Sequence, residues 1–223
     1  PWSEDFAREV EAAGADALEL NISVLPTNIE ISGEEIEEQY LEVARTARGA
    51  VSLPIAVKLG SHFTALPAFL EQLGGTGTDA FVLFNRYYQP TIDIEELSVV
   101  LGDKLSGHGE LSTTLRWVSV VAGRLDQHIA AGTGIHSGED VVRALLVGAR
   151  AAQVLTPLLR NGVGDIRNMV TVLEDWMKRH GFERIDDFRG RLSQEETGAE
   201  SFFNRYQYMR ALGSERPEAA DTA

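Results

Sequence analysis

The segment from Gln127 to Gly162, QHIAAGTGIHSGEDVVRALLVGARAAQVLTPLLRNG, constrains the fold more than any other part of the chain. It contains a short apolar run, a glycine-rich turn, a helix between Ser137 and Gly148, and a second apolar run. Two parallel strands joined by a helix produce this order, and the turns after both strands then lie at one end of the sheet. Backbone N–H groups in such turns lack strand partners and favour anions. The segment therefore predicts a phosphate site at the carboxyl ends of two parallel strands.

A repeated motif extends this pattern along the chain. Residues 13–20 (AGADALEL), 76–83 (TGTDAFVL) and 147–154 (VGARAAQV) each consist of a helix end, a glycine and a buried strand. Neighbouring copies are separated by about two βα units of roughly 30 residues each, and further apolar runs lie between them. The predicted strands are Ala17–Asn21, Ile55–Leu59, Ala80–Asn85, His128–Ala131 and Ala151–Leu155.

Amphipathic segments separate these strands. The predicted helices are Gly33–Gly49, Ala65–Leu73, Leu111–Arg124 and Gly138–Val147. Apolar strands that alternate with helices predict an α/β protein with a parallel sheet covered by helices. Phosphate turns usually follow strands 7 and 8 of a TIM (β/α)₈ barrel, so we predict this barrel, with strands 4 to 8 in the present chain. At the same spacing, about 90 residues are expected before Pro1.

Three regions are predicted along the chain: barrel residues 1–193, a helical extension at 194–213 and a disordered tail at 214–223. Helices are expected at Ser3–Ala13, with Ser3 as its cap, and at Ile166–His180. The extension carries an apolar stripe at helical spacing, which favours packing against the barrel or a second copy of the chain. The stripe consists of Phe202, Phe203, Tyr206 and Met209. We therefore expect a homodimer.

The composition argues against several classes of function. A net charge of −14 and a pI of about 4.8 argue against nucleic acid and against anionic membranes as partners. The chain has no cysteine, so disulfides and cysteine nucleophiles are excluded, and its histidines show no spacing typical of a metal site. No apolar run approaches the roughly 18 residues of a membrane span, and no signal peptide is visible. We therefore expect a cytoplasmic protein without a metal, acting on a small-molecule substrate.

Polar side chains lie at the ends of three predicted strands that are otherwise apolar. Asn21, Lys58 and Asn85 occupy these positions, and chemistry in a barrel occurs at the carboxyl ends of strands. A lysine beside the end of a buried strand is costly unless it faces a ligand site, so a functional role for Lys58 is favoured over a structural ion pair. Asn21 and Asn85 fit either a ligand with donors and acceptors or the capping of turns.

Several motifs together resemble the dihydroorotate dehydrogenase family. These are GADALELNIS, PIAVKL, the strand ending in Asn85, and the segment from Ile129 to Gly162, in the family's order. The resemblance continues through MVTVLEDWMKRHGFERIDDFRGRLS and covers about Asp5 to Ser193, the carboxyl-terminal two-thirds of a family member. The phrase FNRYYQPTID resembles a branch called dihydroorotate dehydrogenase-like. The resemblance implies an FMN-binding (β/α)₈ barrel that acts as an oxidoreductase in pyrimidine metabolism.

The resemblance also implies roles for the polar residues at the strand ends. Lys58 matches the family's strand-5 lysine, which contacts the flavin, and a lysine there stabilises the negative charge of reduced flavin. Asn21 and Asn85 match asparagines that contact the pyrimidine substrate, and Asn28 is a further polar candidate near them. Thr133-Gly134 and Leu155-Thr156 match the two turns that hold the FMN phosphate. The implied phosphate-binding set is Gly132, Thr133, Gly134 and Thr156.

Two departures from the family pattern concern the chemistry. In LNISVLPTN, Val24 matches the catalytic cysteine of soluble members, and it cannot accept a proton. Ser23 is adjacent but matches an ordinary serine of the family, which makes it a weak candidate base. Leu155 and Thr133 stand where the family has glycine, and a side chain there crowds the close backbone approach that glycine permits.

Three functions are compatible with these residues. The leading interpretation is hydride transfer between a small, planar, polar substrate and FMN. The second is a lyase or aldolase that forms a Schiff base at Lys58. The third is a non-catalytic flavin-binding subunit, which the missing base favours. Because Val24 replaces the base, we expect little or no oxidation of dihydroorotate itself.

Overall fold

The structure, a computed structural model, describes residues 4–87 and 89–197. Its strands are β1 (Leu18–Asn21), β2 (Ile55–Leu59), β3 (Ala80–Leu83), β4 (Pro90–Asp93), β5 (Ser98–Leu101), β6 (His128–Ala131) and β7 (Ala151–Ala152). Its helices are α1 (Glu4–Ala12), α2 (Gly33–Ala50), α3 (Leu66–Gly74), α4 (Leu111–Val121), α5 (Gly138–Leu146), α6 (Thr156–Asn161), α7 (Asp165–His180) and α8 (Gln194–Thr197).

Five strands form one parallel sheet in the order β1-β2-β3-β6-β7. The strands are neighbours in their order along the chain, and helices connect them. In the register of the sheet, Asn21 lies beside Lys58, and Lys58 lies beside Val82. The parallel sheet in sequence order confirms the predicted architecture, and it brings the strand ends together at one edge.

Local sequence explains where the main helices begin and end. Ser32 opens α2 and Ser137 opens α5, each with a hydroxyl that accepts a hydrogen bond from the backbone N–H three residues later. Such capping satisfies an N–H group that has no partner within the helix. At the end of α5, Gly148 has a φ of 111°, a conformation that glycine adopts without steric cost. The predicted cap and stop of this helix are therefore confirmed.

The two faces of the sheet differ in character. Leu20, Val57 and Leu83 point to the outer face, where the helices bury them almost completely. Glu19 and Lys58 belong to the opposite set, because successive side chains of a strand alternate between faces. Apolar packing thus occurs on the outer face, and the inner face carries charged groups.

The sheet is strongly curled towards its inner face. Gln153, just after β7, donates a hydrogen bond to Glu19 of β1 over 2.5 Å. These two strands are four strand-to-strand steps apart, which would be about 19 Å along a flat sheet. A direct contact between their side chains requires the sheet to bend into an arc. This is the curvature of a barrel wall.

Several predicted boundaries were wrong. β3 ends at Leu83 and not at Asn85, and β7 ends at Ala152 and not at Leu155. Among the described residues β7 pairs only with β6, so its ladder is short. Helix α4 ends at Val121 rather than Arg124, because Ala122 is already extended. Other predicted ends shift by one residue.

Two elements were not predicted at all. Residues 90–101 form an antiparallel hairpin, β4–β5, between β3 and α4. Residues 156–161 form the short helix α6, where the sequence had indicated only a break after the last strand. The predicted cap Ser3 and the predicted aromatic extension and tail at 198–223 lie outside the described residues. Within the described ranges, no helix has the length and apolar character needed to cross a membrane.

Replacing Phe81 by alanine tests the central position of β3 in this core. The Phe81 side chain is fully buried between the sheet and the helices. We expect Phe81→Ala to lower the free energy of unfolding by about 3–5 kcal/mol, because the substitution leaves a cavity. Urea titration measures the change. Ile92→Ala, on the exposed hairpin, is the control and should change stability by about 0.5 kcal/mol or less; equal losses would contradict the assigned core.

Candidate functional site

A cleft of about 580 Å³ opens at the carboxyl ends of β2, β3, β6 and β7. We call it the mouth cleft. Its lining includes Lys58 and Asn85. It also includes every predicted phosphate-binding residue, Gly132, Thr133, Gly134 and Thr156. The structure therefore brings residues from four separate strand ends to one cleft, at the edge where the sequence predicted them.

The turn after β6 has a tightly determined backbone. Gly134 has a φ of 82°, and a Cβ atom added there would lie 2.3 Å from the backbone nitrogen of Leu111. Thr133 has a φ of 69°, which is rare for a β-branched residue and costs on the order of 1 kcal/mol. Its hydroxyl donates to the carbonyl of Phe84 over 2.9 Å, and this bond fixes the strained conformation. The hydroxyl of Thr133 is thus engaged by a backbone carbonyl of the protein.

Several residues that line the cleft have backbone N–H groups without a backbone acceptor. Within the described part of the chain, the N–H groups of Thr133 and Gly134 have no acceptor, and neither has the N–H group of Thr156. Unpaired N–H groups that converge on one cleft favour an anion. Leu155 is 67% exposed. The turn of residues 132–134 and Thr156 thus line one cleft although threonine and leucine stand at positions 133 and 155.

Ser106 is a site residue that the sequence analysis missed. It is buried in the cleft wall, and its hydroxyl lies 2.8 Å from the Thr156 hydroxyl and 3.1 Å from Nε2 of His136. Its backbone N–H also donates to the Thr156 hydroxyl. Burial lowers the pKa of His136, and the neighbouring His108 lowers this pKa further. A Ser-Gly pair just before a helix was the available signal, because such residues often cap helices and bind anions.

Arg86 is a second residue that was missed. Its Nε donates to the carboxylate of Glu110 over 2.9 Å, and its Nη1 donates to the carbonyl of Asp103. These bonds hold the segment 102–110 against the cleft, where Ser106 contacts Thr156. Arg86 follows Asn85 directly. The segment just after β3 therefore lines the cleft and also holds the neighbouring segment 102–110 in place.

Lys58 lies on the inner face within a polar network. Its Nζ donates to Oε1 of Gln153 over 2.9 Å and lies 3.6 Å from the carboxylate of Glu19. The side chain is 21% exposed and lines the mouth cleft. Lys58 therefore points to the inner face of the sheet, as predicted. Its ammonium pairs with Glu19, and the side chain also lines the mouth cleft.

Asn21 and Asn85 are joined to each other. The Nδ2 group of Asn85 donates to Oδ1 of Asn21 over 2.7 Å. This bond fixes both amides and leaves the Asn85 oxygen as an acceptor and the Asn21 nitrogen as a donor. Such a pair suits the edge of a ligand that carries both a donor and an acceptor.

Curated relatives of the chain share one activity name. The chain is 27% identical over 197 residues to the catalytic subunit of a dihydroorotate dehydrogenase B (NAD(+)) from Thermoplasma volcanium, covering 84% of the chain and 64% of the relative. It is 29% identical over 188 residues to the subunit of that name from Desulforamulus reducens, covering 74% and 61%. A putative dihydroorotate dehydrogenase A (fumarate) from Aeropyrum pernix is 29% identical over 195 residues, covering 85% and 62%.

These matches show that the chain is similar, over most of its length, to dihydroorotate dehydrogenases. The chain spans about three fifths of the length of these relatives. No protein-family model matches it. A solved structure of a dihydroorotate dehydrogenase from Eimeria tenella, in complex with ferulenol, superposes with a TM-score of 0.64 at 20% identity. It covers 85% of the chain and 58% of the solved protein, and confirms the predicted (β/α)₈ barrel class.

The remaining predicted residues lie on the loop after β1, away from the lining of the mouth cleft. Ser23 is exposed, and Asn28 uses its side-chain oxygen to accept the backbone N–H of Glu30, which makes a local turn. Val24, which the sequence resemblance matches to the family's catalytic cysteine, is half-buried. The structure thus gives Asn28 a local role in the turn, and the functions of Ser23 and Asn28 stay predictions.

An aromatic cluster fixes this loop. The buried Tyr40 hydroxyl donates to the carbonyl of Ile22 and accepts the N–H of Val24. It also lies 3.5 Å from the Tyr87 hydroxyl, which must be the donor because the single Tyr40 proton is already used. Burial raises the pKa of Tyr40, so this hydroxyl stays protonated. Two hydrogen bonds between the neutral Tyr40 hydroxyl and the backbone of Ile22 and Val24 therefore hold the loop that carries Val24.

His62 packs at the edge of this cluster. Its ring stacks on Phe63, with ring centroids 4.7 Å apart, and its Nε2 is buried without a partner among the described residues. Burial lowers the pKa of His62, because the charged form loses its hydration. Within the ranges that the structure describes, no group of three or more potential ligands could hold a metal ion.

The half-buried His62, with its buried Nε2 atom, predicts a loss of stability in mild acid. The unfolded chain binds a proton at this residue near pH 6.5, and the folded chain binds it only at lower pH. Stability is therefore complete above about pH 6.5 and decreases as the pH falls through the folded pKa. His62→Phe keeps the stacking on Phe63 but has no group to protonate. We therefore expect its free energy of unfolding to fall less than that of the wild type between about pH 7.5 and 5.5.

The unfolding free energies of the two proteins at both pH values provide the measurement. His128→Phe, which removes an exposed histidine, is the matched control and should follow the wild-type curve. Parallel pH dependences for wild type and His62→Phe would show that His62 is not the group responsible.

Proposed function

We propose that the chain forms the flavin- and substrate-facing wall of an FMN-dependent oxidoreductase. The observation that supports this most directly is the mouth cleft, where Lys58 and Asn85 lie with the turn of residues 132–134 and with Thr156. A cationic side chain and a group of backbone donors in one cleft suit the ring and the phosphate of FMN. The family resemblance implies the same cofactor.

The residues present fit the phosphate of FMN. Gly134 has no room for a side chain, since its added Cβ would collide with the backbone of α4. The turn therefore packs closely on the start of α4. Among the described residues, the N–H groups of Thr133, Gly134 and Thr156 have no backbone acceptor. The Thr156 hydroxyl, held by Ser106, is a further donor at the same point. We assign these groups to the phosphate.

The other residues would serve the ring and the substrate. FMN supplies the hydride acceptor of the reaction. Lys58 would place a positive charge beside the ring, where negative charge develops on reduction. The joined amides of Asn21 and Asn85 would bind a small planar substrate through paired donor and acceptor groups and orient it against the ring.

The alternatives receive less support from the geometry. A Schiff base at Lys58 requires a free amine, but its Nζ is engaged by Gln153 and lies beside Glu19. A non-catalytic flavin-binding subunit remains the runner-up, because Val24 offers no base. Three further features are part of the proposal: the protein acts in the cytoplasm, takes part in pyrimidine metabolism, and assembles as a homodimer.

Flavin uptake tests the proposed cofactor. We expect the full-length protein to bind FMN stoichiometrically, with the absorption of a flavoprotein. Lys58→Ala should weaken FMN binding or slow flavin reduction by at least about tenfold, because a charge close to the ring is lost. Lys178→Ala, on the exposed face of α7, removes the same charge elsewhere and should match the wild type. A full-length protein that takes up no flavin would refute the proposal.

Dihydroorotate oxidation tests the consequence of Val24. A matched base contributes roughly 10²- to 10⁴-fold to such a reaction, so the FMN-loaded protein should oxidise dihydroorotate very slowly with an artificial electron acceptor. Val24→Cys should raise this rate, and Val24→Ala, which adds no proton acceptor, should not. Wild-type turnover in the ordinary enzyme range of roughly 1–10³ per second would show that another residue acts as the base.

A further inference from the structure

Glu19, Lys58 and Gln153 form a closed triad on the inner face of the sheet. Lys58 Nζ donates to Gln153 Oε1 over 2.9 Å, and Gln153 Nε2 donates to Glu19 Oε2 over 2.5 Å. Glu19 Oε1 lies 3.6 Å from Lys58 Nζ. Each member thus contacts the other two, although they come from β1, β2 and the end of β7.

The hydrogen bonds of the triad fix the orientation of the Gln153 amide. Its oxygen faces the ammonium of Lys58, and its NH₂ group faces the carboxylate of Glu19. A flipped amide would place NH₂ against ammonium and oxygen against carboxylate, which is repulsive at both ends. The amide therefore has one stable orientation, and it holds the flexible four-carbon stem of the lysine in a defined position.

The triad is arranged in depth. Lys58 and Gln153 line the mouth cleft, whereas Glu19 does not. Glu19 lies two residues before Asn21 on β1, further from the cleft opening. The carboxylate of Glu19, whose side chain is 36% exposed, therefore contacts the amide and the ammonium from outside the cleft, and the ammonium lies at the cleft wall.

We propose that Glu19 and Gln153 are positioning residues that set the place and the electrostatic strength of the Lys58 charge towards the bound flavin. This inference rests on the proposed function and goes beyond it. Gln153 holds the ammonium at the cleft wall, and Glu19 partly compensates its charge. The ratio of affinities for reduced and oxidised flavin then depends on two residues that need not touch the substrate.

Two variants should shift this ratio in opposite directions. Glu19→Gln keeps the size of the side chain and removes a negative charge beside the ammonium, so reduced flavin, which carries more negative charge, binds better. Gln153→Ala releases the ammonium from the cleft wall towards Glu19, so reduced flavin binds less well. We expect a change of roughly tenfold in the affinity ratio for each variant, which is about 30 mV in a two-electron midpoint potential.

The measurement is the midpoint potential of FMN bound to the full-length protein, together with the dissociation constant of oxidised FMN. Glu71→Gln, which removes a carboxylate from the exposed surface of α3, is the matched control and should leave the potential unchanged. Gln153→Leu preserves the side-chain volume and replaces Gln153→Ala if that variant does not fold. A purely structural role would weaken reduced and oxidised flavin equally and leave the potential where it was.

The outcomes separate this inference from the proposed function. The inference is supported if the midpoint potential of bound FMN rises in Glu19→Gln and falls in the Gln153 variant. Unchanged potentials in both variants, or shifts in the same direction, overturn the inference. The proposed function still stands in that case, provided that the wild type binds FMN. A wild type that binds no FMN overturns both.

Discussion

The contact between the two edges of the sheet is the constraint on which the site depends. A flat parallel sheet would leave Gln153 far from Glu19 and Lys58, so Lys58 would keep only the carboxylate of Glu19 on the neighbouring strand. The curl of the sheet turns this face into a concave wall, where the three charged or polar groups satisfy one another. The same curl directs the carboxyl ends of the strands towards a common cleft. Apolar packing on the outer face, around Val57, Leu83 and Phe81, supplies the rigid support.

The phosphate end of the cleft depends on backbone conformation more than on side chains. The positive φ of Gly134 and the absence of space for a Cβ atom bring the main chain of the turn against α4. Thr133 tolerates an unfavourable φ because its hydroxyl is bound to the carbonyl of Phe84. Strain held by a specific hydrogen bond is typical of functional turns. A threonine is therefore accommodated in this turn, at the position where the resemblance implies a glycine.

Local signals in the sequence were sufficient for most of the fold. The boundaries of β2 and β6, the cap at Ser137 and the glycine stop at Gly148 were all predicted, because each depends on neighbouring residues. The hairpin β4–β5 was missed, since its alternation is short and its apolar side chains, such as Ile92 and Val99, are exposed rather than buried. Its strands belong to no core, so the usual pattern of a half-buried strand does not apply.

The candidate site was predictable only where a strand end marked it. Asn21, Lys58 and Asn85 interrupt apolar runs, and this made them visible. Their partners could not be predicted in the same way, because Gln153 and Glu19 are 134 residues apart in the chain and Ser106 and Thr156 are 50 apart. Only the curvature of the sheet and the path of the segment 102–110 bring them together. Sequence pattern thus located the cleft, and tertiary structure determined which groups cooperate there.

A crystal structure of the full-length protein grown with FMN tests the central claim most directly. The account predicts density for a phosphate against the backbone of Thr133, Gly134 and Thr156, and for the flavin ring beside the ammonium of Lys58. It also predicts that Gln153 still bridges Lys58 and Glu19 when the ring is present. A flavin bound elsewhere on the protein, or a mouth cleft that stays empty at saturating FMN, would contradict the account.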